Sequence, residues 1–176
     1  AKGATVNNMG VANSPILDDE IRSFLKEQGR TEMQIEDVLV KLKDKARLGD
    51  SKMSSLIQCN TDLYDTLIMG IKSQPSPEEN HEDVMFFDFD HPQNNHFAIA
   101  EEVSYIDPLL GKNKRPDIVV YVNGIALAVI ELKRSLVNYE EGIKQHLSNE
   151  RDFIPSFFTT TQFTIASNDD VEFRYG

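Results

Sequence analysis

The sequence predicts an α/β domain, with a mixed central β-sheet flanked by helices. Two observations carry that prediction. The first is a run of amphipathic helical segments between Ile16 and Gly70. The second is the stretch 115–135, RPDIVVYVNGIALAVIELKRS, in which two apolar, β-branched runs meet at Asn123-Gly124. Neither run has a polar face, so both strands need cover on two sides and belong at the centre of a sheet.

In chain order, residues 1–15 are rich in Gly, Asn and Ser and read as a loose N-terminus. Ile16, Leu17, Ile21, Phe24 and Leu25 space a first helix, stopped by Gly29. Thr31 starts a second, with Ile35, Val38, Leu39 and Leu42 on one face. A third runs from Asp50 to about Gly70 through Leu56, Ile57, Leu63, Tyr64, Leu67 and Ile68. Ser73 to Asp83 reads as a polar loop, Val84 to Asp90 as a strand, and His91 to Asn95 as a turn. Phe97 to Ile106 reads as another strand, followed by the polar loop Asp107 to Lys114. After the central hairpin come a helix, 137–149, and a last strand within 159–167. Its Phe163, Ile165 and Ala166 suit burial. The whole is read as one domain, 1–176, with a helical region at 16–72 and a sheet core carrying the site at 84–176.

Ionisable residues stand where this core ends. Asp117 opens the first central strand, and Glu131 and Lys133 close the second. The turn decides whether they meet. A two-residue loop pairs Val122 with Ile125 and sends Asp117 to the face opposite Glu131 and Lys133. A three-residue loop, Val122-Asn123-Gly124, pairs Tyr121 with Ile125 and gathers all three on one face. The three-residue loop is the expectation here, with Gly124 in the left-handed position. Two carboxylates converging at a strand end make a hard-oxygen site for Mg²⁺, and a lysine beside them can steady a phosphate's developing charge. That is the chemistry of phosphodiester hydrolysis. The competing reading is a solvated strand end, with Asp117 capping a turn.

Arg115-Pro116-Asp117 followed by Glu131-Leu132-Lys133 resembles the PD-(D/E)-x-K nuclease signature. The segments VMFFDFDHPQNNHFAIAEEVSYI, RPDIVVYVNGIALAVIELKRS, EGIKQHL and FFTTTQFTIASN, in this order, resemble the N-terminal nuclease domain of type I restriction enzyme R subunits. The likeness covers roughly residues 60 to 176. It implies a restriction-endonuclease-like fold and a Mg²⁺-dependent endonuclease acting on double-stranded DNA. Asp117 and Glu131 would hold the metal, and Lys133 would orient water or stabilise the transition state. Gln145 matches the glutamine of the family's Gln-x-x-x-Tyr motif, but Asn149 stands at the tyrosine position. Relatives carry a further acidic residue on an N-terminal helix, expected upstream of Ala1, with Glu102 as a substitute within this sequence. The likeness also implies partner methylation and specificity subunits, and ATP-driven motor domains elsewhere in a longer chain. This sequence has no Gly-x-x-x-x-Gly-Lys-Ser/Thr phosphate loop of its own.

Composition bounds these expectations. The net charge is −11, with only 18 Lys and Arg, a poor electrostatic match to DNA, so other parts of an assembly are expected to hold the nucleic acid. The single cysteine, Cys59, excludes a disulfide framework and fits the cytoplasm. No membrane segment is read. His81, His91 and His96 have no compact zinc spacing. Two rival functions remain open: a non-catalytic nuclease-fold docking module, and a resolvase- or repair-type nuclease of the same fold.

Overall fold

In the computed structural model, residues 3–5, 11–49, 53–77, 80–133, 140–168 and 173–175 are described. They begin with β1 (Gly3–Thr5), β2 (Val11–Ala12), α1 (Asp18–Glu27), α2 (Glu32–Lys45) and α3 (Met53–Met69). Next come β3 (Ile71–Ser73), β4 (Glu82–Val84), β5 (Phe97–Glu101), β6 (Ser104–Ile106) and β7 (Asn113–Lys114). The chain continues with β8 (Ile118–Val122), β9 (Ile125–Lys133), α4 (Glu140–Ser148), β10 (Phe163–Asn168) and β11 (Phe173–Tyr175).

The helices sit where their periods put them. α1 has Asp18, Asp19 and Glu20 in its first turn, where the helix dipole favours negative charge, and it buries Ile21, Phe24 and Leu25. The Thr31 hydroxyl accepts from the Gln34 N–H at 3.3 Å, and the Gln34 side chain accepts from the Thr31 N–H at 3.0 Å. This reciprocal cap fixes the start of α2. Behind it Ile35, Val38, Leu39 and Leu42 join Leu63 and Leu67 of α3 in a core that closes over Ile125, at the turn end of β8 and β9.

Six strands form the main sheet in the order β1-β5-β8-β9-β10-β11. β1 runs parallel to β5 and β9 parallel to β10, while β5–β8, β8–β9 and β10–β11 are antiparallel. The sheet is therefore mixed, and the β8–β9 hairpin occupies its centre, as its apolar runs require. One face buries Ala100, Val119, Tyr121, Ala126 and Val129 against Leu48, Tyr105, Ile154, Phe157 and Phe158. The opposite face is more open among the described residues: Phe97 is 39% exposed, Ile99 47%, Leu132 50% and Phe163 57%. Equal cover on both faces, expected from the sequence, is not found, and Phe163 is not buried, although Ala166 is.

Several expected boundaries move, each for a local reason. Gly3–Thr5 and Val11–Ala12 are paired strands within the N-terminus read as loose. The segment read as a loop before Val84 is partly a two-stranded ribbon of β3 and β4. Residues beyond Val84 do not continue as a strand. There Asp88 accepts from the His91 N–H and from Asn94, while Asn95 accepts from the Asp88 N–H, so side chains take the backbone's partners. The strand expected over 97–106 breaks at Glu102, whose φ is +51°, and its halves join different sheets. The helix expected from residue 137 is described from Glu140, since 134–139 lie outside the described residues.

The turn between β8 and β9 also differs from expectation. Val122 pairs with Ile125, leaving a two-residue turn in which Asn123 (φ +49°) and Gly124 (φ +81°) are both left-handed. Tertiary partners select it. Asn123 Nδ2 donates to the Phe86 carbonyl at 2.7 Å and to Asn95 Oδ1 at 2.8 Å, and Asn123 Oδ1 accepts from the His96 N–H at 2.7 Å. The Gly124 carbonyl accepts from the Leu17 N–H at 2.7 Å, and a Cβ on Gly124 would lie 2.6 Å from the Leu17 oxygen. Gly124→Ala is therefore expected to cost about 1–3 kcal/mol, read as a fall of about 2–4 °C in Tm per kcal/mol. An unchanged melting temperature would contradict this role for the turn.

Candidate active site

The site is built where β8 begins and β9 ends, and one irregularity between the strands assembles it. Tyr121 opposes Ala126, yet Val120 opposes Ala128, followed by the pairs Val119–Val129 and Ile118–Ile130. Leu127 is thus an extra residue on β9, a β-bulge. The chain that follows α4 anchors it: the Gln162 N–H donates to the Leu127 carbonyl at 2.8 Å, and the Thr160 hydroxyl donates to the Ala126 carbonyl at 2.7 Å. A two-residue turn alone would put Asp117 and Glu131 on opposite faces, but the extra residue shifts the phase by one and reverses that outcome. The expected three-residue loop is absent. Its consequence for the two carboxylates is reached by another route.

Asp117 and Glu131 are the next residues out from the Ile118–Ile130 pair. Asp117 Oδ2 accepts from the Leu132 N–H of β9 at 2.7 Å, tying the two strand ends together. Its carbonyl accepts from the Glu102 N–H at 2.8 Å. Glu131 is fully buried beside Ala166 of β10. A buried carboxylate needs donors, and α4 supplies one: Gln145 Nε2 donates to Glu131 Oε2 at 2.5 Å. One helical turn later Asn149 Nδ2 lies 3.5 Å from Glu131 Oε1. The spacing i, i+4 places both carboxamides on the same side of this helical stretch.

The other expected residues fare differently. The backbone of Lys133 ends β9, paired with Asn168, and its side chain lies outside the described residues. The Glu102 side chain is two-thirds exposed and pairs with Arg115 at 3.4 Å. Among the described residues no three His, Cys, Asp or Glu side chains gather to hold a metal, so Glu102 does not complete a cage with Asp117 and Glu131. His96 contacts Glu27 at 3.0 Å, His91 lies 3.7 Å from Asp88, and His81 is exposed. The donor set at the hairpin end is two carboxylates with carboxamide support. Such a set fits Mg²⁺, which uses few protein ligands and keeps most of its waters.

The fold is a mixed α/β sheet domain with an acidic pair gathered at the end of its central hairpin. Residues 5–176 match the family described as type I restriction enzyme R protein N terminus, and the chain belongs to that family. It is 32% identical over 120 residues to the putative type I restriction enzyme MjaIXP endonuclease subunit of Methanocaldococcus jannaschii. That match covers 65% of this chain and 11% of the relative. It is 30% identical over 136 residues to the type I restriction enzyme HindI endonuclease subunit of Haemophilus influenzae, covering 75% of this chain and 12% of the relative. These matches therefore span only about an eighth of either relative's length. Among the described residues no helix is long and apolar enough to cross a membrane.

Reading the sequence did not give Asn149 a place beside Glu131. Its position four residues after Gln145 was the available signal. The next residue, Glu150, is half-buried, and burial pushes its carboxyl above the usual range against the opposing charge of Arg151. A raised folded-state pKa means that the charged form destabilises the fold above the unfolded value. Glu150→Gln should therefore raise Tm near pH 7 and leave it unchanged below about pH 4, where the carboxyl is protonated in both states. A stabilisation of the same size at both pH values would show that burial of charge is not the cause.

Proposed function

We propose that this chain is the DNA-cleaving domain of a type I restriction enzyme R subunit, a Mg²⁺-dependent endodeoxyribonuclease. One observation carries the reading: the bulge at Leu127 brings Asp117 and Glu131 to the same end and phase of the central hairpin, with Gln145 bonded to Glu131. Family membership and the relatives' description as endonuclease subunits support it.

Asp117 and Glu131 would hold the cation. When bound, Mg²⁺ supplies positive charge to the scissile phosphate and lowers the pKa of a water. Asp117 is held in place by the Leu132 N–H, and Glu131 by Gln145, so neither carboxylate has to reorganise as substrate arrives. Lys133, two residues after Glu131 on β9, is assigned the developing charge of the transition state by its place in the motif. Base-specific recognition is not assigned to this domain. At a net charge of −11 it relies on the methylation and specificity subunits and on motor domains to hold and deliver double-stranded DNA. ATP belongs to those motor domains. The docking-module alternative draws on the same charge, and the following variants separate the two.

Asp117→Ala, Glu131→Ala and Lys133→Ala, each in the complete restriction enzyme, should reduce DNA cleavage by at least about a hundredfold. ATP hydrolysis and translocation should persist. Cleavage near the wild-type rate in any one variant would remove that residue from the mechanism, and in all three would favour the docking role.

A further inference from the structure

Asn149 stands where the helix changes its winding. α4 ends at Ser148, and residues Asn149–Phe153 form a turn of π-helix, a wider geometry that interrupts helices frequently at functional sites. The Asn149 side chain is 1% exposed. Its Nδ2 lies 3.5 Å from Glu131 Oε1, and its Oδ1 is buried with no hydrogen-bond partner. A core would not retain an unsatisfied carboxamide oxygen for packing alone, because an apolar residue of similar size avoids the desolvation cost.

The two carboxamides treat the Glu131 oxygens unequally. Gln145 makes a short bond of 2.5 Å to Oε2, while Asn149 makes only a long contact to Oε1. A carboxylate gripped tightly at one oxygen and loosely at the other is oriented yet still able to offer the loosely held oxygen to a cation. We propose that Asn149 is a positioning residue for Glu131. Its Nδ2 steers Oε1, and its Oδ1 accepts from a water that enters the site with a divalent cation. This inference rests on the nuclease reading above and adds to it a residue that departs from the family's tyrosine.

Manganese is a suitable probe, because the electron paramagnetic resonance signal of the free ion reports binding without any cleavage assay. Asn149→Ala should weaken Mn²⁺ binding by about tenfold, the lower range for outer-shell partners of metal ligands. In a Glu131→Gln background the same substitution should weaken it no further, since the effect runs through Glu131. Asn149→Asp, which keeps the size, places a second negative charge beside Glu131 and should move the acidic limb of Mn²⁺ binding to higher pH. Unchanged binding in Asn149→Ala, equal weakening in both backgrounds, or an unmoved acidic limb would each overturn the proposal. If Asp117→Ala abolishes binding while the Asn149 variants bind as wild type does, only the role of Asn149 falls. If the wild-type chain itself binds no Mn²⁺, the metal reading of the whole site falls with it.

Discussion

One extra residue in one strand governs the chemistry of this domain. In a sheet, side chains alternate faces with a period of two, so an uninterrupted β8–β9 hairpin closed by a two-residue turn would separate Asp117 from Glu131. Leu127 shifts the pairing by one between Tyr121 and Val120, and the two acids fall into phase. Bulges in antiparallel pairs bend a strand and re-aim side chains, and they concentrate near active sites. Here the bulge is held by donors from a distant segment, Thr160 and Gln162, so the site depends on chain that lies beyond α4.

The same logic runs through the polar groups buried around the hairpin. At its closed end Asn123 binds backbone atoms of Phe86 and His96 and the side chain of Asn95, locking the turn to the segment before β5. Ile16, paired with Ile125, and Leu17, donating to Gly124, attach the helical layer to the turn. At the open end the Glu131 charge, removed from water, is met by carboxamides from α4 and the π-turn that follows. The apolar strands make the hairpin central. The buried amides at its two ends make it specific.

Much of this was legible in the sequence, and the boundary of legibility has a physical cause. Local signals gave α1 and α2: Ile21, Phe24 and Leu25 recur at helical spacing, Gly29 stops the first helix, and Thr31 caps the second. The hairpin was legible from its β-branched runs and Asn-Gly turn. What was not legible depends on partners far away in the chain. The turn is two residues long because Asn123 finds partners at Phe86, Asn95 and His96, and the bulge exists because Thr160 and Gln162 take its carbonyls. The strand break at Glu102 likewise accompanies a bond to the Asp117 carbonyl. At the site, Asp117, Glu131 and Gln145 stood out by motif and resemblance, whereas Asn149 registered only as a missing aromatic.

The central claim is that the bulge makes Asp117 and Glu131 one cation site. Anomalous X-ray scattering from crystals soaked in Mn²⁺ measures this most directly, because it locates the ion irrespective of turnover. The account predicts an anomalous peak bridging the Asp117 and Glu131 carboxylates, about 2.0–2.3 Å from an oxygen of each, as expected for hard-oxygen coordination. A peak held by other acidic side chains, with none between these two at saturating Mn²⁺, would contradict it.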